Sequence, residues 1–250
     1  MNNQTVEKLY QMKLHTMAAA FKEQLDLPSM GSLSFEERLA MIVDREWLFR
    51  ENRRLGRRLK TARLKHQATI EDVDFRHPRG LDKSVILTLA YCQWINGHHN
   101  VIITGPTGIG KSYLAEALAQ KGCRENFTAV CYRSPRFFEE LAIAHGDGSY
   151  IKFLNKLARI DILVIDDWGL APLTDSERRD FLEVMEDRHG IRSTIITSQY
   201  PVSKWHDIIG EPTMADAILD RIVHNAHKIS LKGESMRKTR AKLTQADKQQ

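Results

Sequence analysis

A glycine-rich stretch near the middle of the chain has the composition of a phosphate-binding loop. Its eight residues, GPTGIGKS at 105–112, follow an apolar run and precede a helical pattern. Glycines let successive backbone N–H groups turn toward phosphate oxygens, and the N-terminus of the next helix adds a favourable dipole. Lys111 suits the β- and γ-phosphates and Ser112 suits Mg²⁺. The residues predicted to bind the nucleotide are Gly105, Pro106, Thr107, Gly108, Ile109, Gly110, Lys111, Ser112 and Tyr113.

Two adjacent acids end a second apolar run, ILVIDDWG at 162–169. Its near-continuous apolar character predicts a strand that is buried on both faces. At the end of such a strand, Asp166 is expected to hold Mg²⁺ directly or through water. Asp167 is expected to orient or deprotonate the attacking water, although it is also suited to capping a turn before Gly169. The presence of two adjacent acids favours hydrolysis of the nucleotide over nucleotide binding alone.

Two further polar residues follow apolar segments. Gln199 comes directly after the strand-like STIITS at 193–198, where an amide can hold the lytic water or contact the γ-phosphate. Arg221 lies in an apolar helical pattern. It is either an exposed residue of an amphipathic helix or an arginine finger, which neutralises charge that develops on the γ-phosphate.

The elements that must position these residues alternate from residue 82 onward. Asp82 suits the start of a helix through about Trp94, and Thr174 with Glu177 suits a further capped helix. Apolar runs predict strands at NVIIT (100–104), TAVCYR (128–133), DILVID (161–166), STIITS (193–198) and HKISL (227–231). Such alternation predicts a mostly parallel sheet with helices on both faces.

The residues before 82 are expected to be helical. Apolar side chains recur at helical spacing over residues 6–25, and Ser34 with Glu37 forms a capping box for a helix to about residue 66. Leu48 and Ala62 belong to the apolar stripe predicted for that helix. The stretch EDVDFRHPRG at 71–80 predicts a connector.

Positive charge is concentrated in two segments. The net charge is +5, yet residues 45–65 alone carry nine Arg or Lys against two acids, and residues 232–250 carry six against two. Arginines along one side of a helix can bridge DNA phosphates, while a solvated charged face is the alternative. The predicted DNA-binding residues are Arg50, Arg53, Arg54, Arg57 and Arg58, with Lys152, Lys156 and Arg159 of a second helical pattern.

Composition excludes several other classes of protein. No apolar run is long enough to cross a bilayer, and the first residues lack a signal-peptide core. The three cysteines are odd in number and form no CxxC pair, so neither a disulfide framework nor a zinc site is indicated. We therefore expect a cytoplasmic protein.

The motifs together resemble one branch of a large ATPase class. In order and spacing, GPTGIGKS, LVIDDWG, TIITSQY and DRIVHNAHKISLKGESMR are similar to an AAA+ ATPase of the DnaC helicase-loader branch, and within it to the IstB helper ATPases of bacterial insertion sequences. The resemblance covers about residues 5–240. It implies an α/β AAA+ P-loop ATPase with a mostly parallel sheet between helices, preceded by a small all-helical N-terminal domain and lacking a clear C-terminal lid.

The resemblance also implies a division of the chain and roles for single residues. The expected parts are a basic helical domain at 1–70, an ATPase core at 71–235 and a basic tail at 236–250. Gln199 matches the sensor-1 position, and Arg221 matches a finger that acts on the ATP of a neighbouring subunit. Arg237 falls near the sensor-2 or terminal basic motif and is expected to bind the nucleotide. Asp167 stands where most AAA+ proteins have Glu.

The implied activity is ATP hydrolysis with Mg²⁺ in a site shared between subunits. The implied function is an ATP-dependent DNA-binding regulator of transposition, which oligomerises on duplex DNA, remodels it and recruits or stimulates a transposase. A DnaC-like loader of a replicative helicase is the first alternative. A small-molecule kinase is a second, but it would need an acceptor pocket that the sequence does not indicate.

Overall fold

The computed structural model describes residues 2–236. These fall into two compact units, the first ending at Arg57 and the second beginning at Arg58. The domain limits expected from the sequence, at residues 70 and 235, remain predictions.

The first unit is helical. It contains α1 (Asn2–Gln11), α2 (His15–Asp26), a short 3-10 helix (Pro28–Ser32) and most of α3 (Phe35–Ala62). The helical pattern over residues 6–25 is divided in two, because Lys13 adopts a left-handed φ of 60°.

The capping box predicted at the start of α3 is present. The Ser34 N–H donates to Glu37 Oε2 at 2.8 Å, and the Glu37 N–H donates to Ser34 Oγ at 3.2 Å. The helix ends at Ala62, four residues earlier than predicted. In the stripe predicted as apolar, Ala62 is buried but Leu48 is exposed.

A buried carboxylate joins α2 to α3. Glu46 accepts a hydrogen bond from the Met17 N–H at 2.9 Å and another from Arg50 Nε at 2.7 Å. These bonds satisfy a charged group that would be costly to bury alone. Val6, Ala18 and Ile42 form part of the buried apolar surface of this unit.

The second unit alternates helices and strands. In chain order its elements are α4 (Lys83–Ala90), α5 (Gln93–Asn96), β1 (Asn100–Thr104), α6 (Lys111–Arg124), β2 (Ala129–Arg133), α7 (Ser134–Asp147), α8 (Tyr150–Arg159), β3 (Ile162–Trp168), α9 (Asp175–Arg188), β4 (Ser193–Ser198), a 3-10 turn (Val202–Lys204), α10 (Trp205–Ile209), α11 (Pro212–Val223) and β5 (Ala226–Ser230). All five predicted strands are present.

The strands form one parallel sheet in the order β2-β3-β4-β1-β5. Thr104 of β1 lies opposite Ser198 of β4, and Arg133 of β2 lies opposite Asp166 of β3. The carboxyl ends of these strands therefore lie side by side, which is where ligands bind in open α/β sheets.

Helices cover both faces of the sheet, as predicted. Leu163 and Ile165 of β3 belong to a cluster of buried residues that α7–α11 complete. The alternate residues Ile162 and Val164 are also buried and face away from that cluster. On their side, α6 approaches so closely that a Cβ on Gly122 would overlap the Ile162 side chain.

The capping residues predicted at the starts of two helices in this unit are confirmed. Asp82 Oδ1 accepts a hydrogen bond from the Ser84 N–H at 2.8 Å, and Thr174 with Glu177 forms a complete capping box. The helix predicted through Trp94 is interrupted at Cys92, where φ is 60°. Among the helices of residues 2–236, none combines the length and the apolar character needed to span a bilayer.

Candidate functional site

A cavity of about 650 Å³ opens at the carboxyl ends of β1, β3 and β4. It brings together residues that are far apart in the sequence, and cations and carboxylates both contribute to its wall. The lining residues are Lys65, His66, Asp72, Asp74, Arg79, Thr107, Gly108, Gly110, Lys111, Ser112, Tyr113, Arg133, Asp166, Asp167, Leu170, Gln199 and Met236.

The glycine-rich loop forms one wall of this cavity. Of the nine residues at 105–113 that are predicted to bind the nucleotide, six line the cavity, while Gly105, Pro106 and Ile109 do not. The buried Lys111 begins α6, and its Nζ donates to the Pro106 carbonyl at 3.0 Å. The loop therefore curls around its lysine, and the N-terminus of α6 faces the cavity.

The position of the loop is fixed by Arg79, which the sequence analysis assigned only to a connector. Arg79 is 2% exposed, and its guanidinium donates to the carbonyls of Ile109 at 2.9 Å and Asp74 at 2.8 Å. Burial lowers the pKa of this arginine. A Cβ on Gly110, where φ is 98°, would overlap the guanidinium. The glycine is thus required by both backbone conformation and space.

The segment after β5 packs against the loop, and its Met236 also lines the cavity. The Leu231 N–H donates to the Thr104 carbonyl at 2.7 Å, and the Met236 N–H donates to the Gly108 carbonyl at 3.0 Å. Between these bonds, the Lys232 N–H donates to Arg79 O at 2.9 Å. The last described residues of the chain therefore help to hold the loop in place.

The two adjacent acids have different surroundings. Asp166 is buried, and its Oδ1 accepts a hydrogen bond from Thr197 Oγ1 at 2.6 Å. The same Thr197 oxygen accepts a hydrogen bond from the Asp167 N–H at 3.0 Å. Pairing with β4 shifts register between Ile165 and Trp168, and Asp167 has a φ of 59°. This bulge redirects Asp167 relative to a regular strand.

An arginine that sequence reasoning missed binds the second acid. Arg133 donates to Asp167 Oδ2 from Nη2 at 2.8 Å and from Nε at 3.2 Å. The hydrogen bond with Asp167 raises the pKa of Arg133. Both side chains line the cavity, so the carboxylate predicted to activate water is paired with a cation.

Gln199 is held against the glycine-rich loop. Its Oε1 accepts a hydrogen bond from Thr107 Oγ1 at 2.8 Å. Gln199, Lys111, Asp166 and Asp167, which lie on separate elements, are thereby brought into one cavity. Their roles toward a nucleotide remain predictions.

The oxygen donors in the cavity fit a hard divalent cation. Ser112 and Asp166 supply a hydroxyl and a buried carboxylate, which are ligands suited to Mg²⁺. Within residues 2–236, no three His, Cys, Asp or Glu side chains form a group able to hold a metal alone. An ion bound by Ser112 and Asp166 would complete its shell with phosphate oxygens and water, as Mg²⁺ commonly does in nucleotide sites.

Arg221 is not among the residues that line this cavity. Its guanidinium pairs with Glu186, lies 3.9 Å from Asp220 and donates to the Ala217 carbonyl at 2.9 Å. The Arg221 carbonyl accepts a hydrogen bond from Asn100 Nδ2 at 3.2 Å, which fixes the end of α11 beside β1. Arg237, the other predicted arginine, lies outside the described residues.

The arginines predicted to bind DNA differ in their local partners. Arg50 pairs with Glu46 at 2.7 Å, Arg54 with Glu51 at 2.5 Å, and Arg57 Nε donates to the Arg53 carbonyl at 3.5 Å. All four side chains are exposed.

Arg58 is different, since its Nε donates to the Cys123 carbonyl at 2.9 Å. This bond anchors the last turn of α3 to the end of α6.

The second predicted basic group lies on α8. Lys152, Lys156 and Arg159 are exposed, whereas Leu154 and Leu157 of the same helix are buried. The basic residues therefore belong to the solvent side of α8. Their binding to DNA remains a prediction.

Comparison with known proteins identifies the family of this chain. A family model described as IstB-like ATP binding protein matches residues 7–244. The chain is 51% identical over 234 residues to the insertion sequence ATP-binding protein y4pL of Sinorhizobium fredii, covering 94% of this chain and 96% of that protein. It is 49% identical over 204 residues to the ATP-binding protein of insertion sequence IS1162 from Pseudomonas fluorescens, covering 81% and 88%.

Among solved structures, the crystal structure of DnaI superimposes with a TM-score of 0.56 at 21% identity, over 66% of this chain and 91% of that one. This likeness supports the fold. The AAA+ P-loop fold, with its parallel sheet and its helical N-terminal region, is as predicted. From the match over residues 7–244, the chain belongs to the family of IstB-like ATP binding proteins.

Proposed function

We propose that this protein is an ATP-hydrolysing regulator of transposition that oligomerises on duplex DNA, remodels it and recruits or stimulates a partner transposase. Its relatives y4pL and the IS1162 protein are named as ATP-binding proteins of insertion sequences. The observation that carries the proposal is the cavity that the glycine-rich loop, the adjacent acids Asp166 and Asp167, and Gln199 line together.

In this proposal the loop binds the phosphates of ATP. The N–H groups of residues 107–112 and the ammonium of Lys111 contact the β- and γ-phosphates. Ser112 and Asp166 would hold Mg²⁺, which would supply positive charge beside the phosphates. Thr197 orients Asp166 through the hydrogen bond to Oδ1.

Hydrolysis requires a water molecule in line with the γ-phosphate. Gln199 positions this water, and Asp167 accepts its proton once the bond from Arg133 has opened. Aspartate has a shorter side chain than the glutamate common at this position of AAA+ proteins. The carboxylate therefore reaches less far toward the water, and we expect slow turnover.

The site is completed by a second subunit. Arg221 does not line the cavity of its own chain, and its pairing with Glu186 holds it on another part of the surface. From there it reaches the γ-phosphate of a neighbouring subunit and stabilises the transition state, as arginine fingers do. ATP then bridges adjacent subunits, so binding favours assembly and hydrolysis favours release.

DNA binds along the basic side of α3. Exposed arginines contact phosphates without reading bases, so affinity is salt-dependent and largely independent of sequence. The assembled subunits bend or twist the duplex and present it to the transposase. Breaking of the DNA strands belongs to the transposase.

A measurement of ATP turnover with and without duplex DNA tests the function. We expect phosphate release by the full chain to require Mg²⁺ and to rise when duplex DNA is added. An ATP turnover rate that does not change when duplex DNA is added would contradict the proposal. Capture of a replicative helicase in place of a transposase, with both partners supplied as purified proteins, would replace it by a DnaC-like loader.

A further inference from the structure

A short segment directly after α3 lies along the ATP cavity, although the proposed mechanism gives it no role. It consists of residues 63–66, and two of these, Lys65 and His66, line the cavity together with Lys111 and Asp166. The segment begins where Arg63 takes a left-handed φ of 55° and so ends the helix.

One end of the segment is fixed to the helix that follows the phosphate loop. The His66 N–H donates to Glu116 Oε2 at 2.7 Å, and His66 Nδ1 lies 3.2 Å from Oε1 of the same carboxylate. Glu116 is 2% exposed and lies four residues after Ser112. Since four residues make about one helical turn, both side chains lie on the same face of α6.

The other end is fixed to β2 and α7. Arg63 donates to Glu140 Oε1 at 2.8 Å, and its guanidinium lies 5.2 Å from the centre of the Tyr132 ring. Tyr132 directly precedes Arg133, the partner of Asp167. Lys65 therefore lies between two anchored residues. His66 is bonded to α6, and Arg63 contacts β2 and α7.

Lys65 and Asp166 line the same cavity and both influence Cys131. Burial, Glu116 and Asp166 raise the pKa of the Cys131 thiol to about 12, while Lys65 opposes them. Cys131 and Arg133 are alternate residues of β2 and project from the same face as Asp166. Lys65 is exposed, and among the described residues its ammonium group forms no ion pair with a carboxylate.

We propose that Lys65 is a second lysine of the ATP site, which binds the terminal phosphate and so connects the nucleotide state to α3. This inference rests on the proposed binding of ATP in the cavity. An ammonium group forms strong charge-assisted hydrogen bonds with phosphate oxygens. Because Lys65 follows the last residue of α3 by three positions, gain or loss of the γ-phosphate acts directly on the end of the arginine-bearing helix.

The first test compares triphosphate and diphosphate binding by the full chain. Equilibrium affinities for ADP and for the β,γ-imido analogue of ATP are measured for wild type, Lys65→Ala, Lys65→Arg and Lys60→Ala. Lys60 is an exposed lysine in the last turn of α3 that does not line the cavity, so its variant matches the loss of charge.

Lys65→Ala is expected to weaken the affinity for the triphosphate analogue roughly fivefold or more, because one charged hydrogen bond is lost. Its affinity for ADP should be unchanged. Lys65→Arg and Lys60→Ala should keep the wild-type ratio of affinities for the analogue and for ADP. Equal affinity of wild type and Lys65→Ala for the analogue, or an equal loss for both nucleotides, would overturn the inference. Failure of the wild type to bind either nucleotide would instead refute the proposed function.

The second test measures duplex DNA affinity in the two nucleotide states. We expect wild type and Lys60→Ala to bind DNA several-fold more tightly with the analogue than with ADP. In Lys65→Ala that ratio should fall toward one. A ratio in Lys65→Ala equal to that in Lys60→Ala, or a wild-type ratio of one, would show that Lys65 does not connect ATP to α3.

Discussion

Arg133, the last residue of β2, donates two hydrogen bonds to a single oxygen of Asp167, at 2.8 and 3.2 Å. The arginine occupies one of the two carboxylate oxygens, and we expect this pairing to restrain the orientation of Asp167. Arg133 also directly precedes α7, which begins at Ser134. In the proposed mechanism, opening of this pair where β2 meets α7 would free Asp167 to turn toward the water.

Replacing Arg133 with Ala tests this relationship. Release of Asp167 should raise ATP turnover in the absence of DNA roughly threefold or more, since proper placement of a general base commonly changes rates by at least this factor. Steady-state phosphate release measures the effect. Arg136→Ala is the control, because Arg136 is an exposed arginine of α7 whose ion-pair partner, Glu139, lies 3.9 Å away. A drop in turnover would show that Arg133 assists catalysis.

Replacing Lys111 with Ala tests the phosphate loop. Loss of a buried ammonium aimed at two phosphates should weaken ATP binding roughly tenfold to a hundredfold. Titration calorimetry measures the affinity, and thermal unfolding establishes that the variant is folded. Lys121→Ala is the matched control, since Lys121 lies on the same helix and pairs with Glu125 at 2.5 Å. Undiminished affinity in the Lys111 variant would refute the assignment.

Replacing Arg221 with Ala tests the shared active site. ATP binding by the isolated chain should be unchanged, because Arg221 does not line its own cavity, while turnover should fall roughly 10³-fold as for removal of an arginine finger. Arg179→Ala, an exposed arginine on α9, is the control.

Mixing experiments then distinguish action between subunits from action within one. An Asp167→Asn subunit lacks the base but keeps its finger, so a mixture with Arg221→Ala should regain part of the wild-type turnover. A mixture that stays as inactive as its components would place Arg221 outside the neighbouring site.

Replacing Arg53, Arg54 and Arg57 with Ala tests the DNA surface. Each phosphate contact contributes about −0.9 to the slope of log affinity against log salt, so the slope should become shallower by about two to three. Binding is measured by fluorescence anisotropy across a salt series. Arg58 is left intact because its bond to the Cys123 carbonyl supports the fold.

A control with the same loss of charge, Lys8, Lys22 and Lys204 changed to Ala, should keep the wild-type slope. An unchanged slope in the arginine variant would move the DNA surface to another part of the chain.

Features encoded by neighbouring residues were predictable from the sequence. The strand at 100–104 and the loop at 105–112 follow from an apolar run and from glycines at fixed spacing, and both capping boxes depend on residues three positions apart. Asp166 was predictable because buried parallel strands end at a common edge of the sheet.

Features that depend on distant contacts were not predictable. Arg79 contacts a loop 30 residues away, and Arg133 meets Asp167 across 34 residues. Thr197 occurs in an apolar strand where a hydroxyl has no distinctive spacing, yet it bridges both acids. The breaks at Lys13 and Cys92 result from left-handed residues that periodicity does not reveal.

The most direct test of the central claim is the particle mass of the full chain in solution. Light scattering is measured with the β,γ-imido analogue of ATP, with duplex DNA, with both, and with ADP plus duplex. The proposed role of ATP between subunits predicts large assemblies when analogue and duplex are both present, and their loss when ADP replaces the analogue. A protein that remains monomeric with both ligands saturating would contradict it.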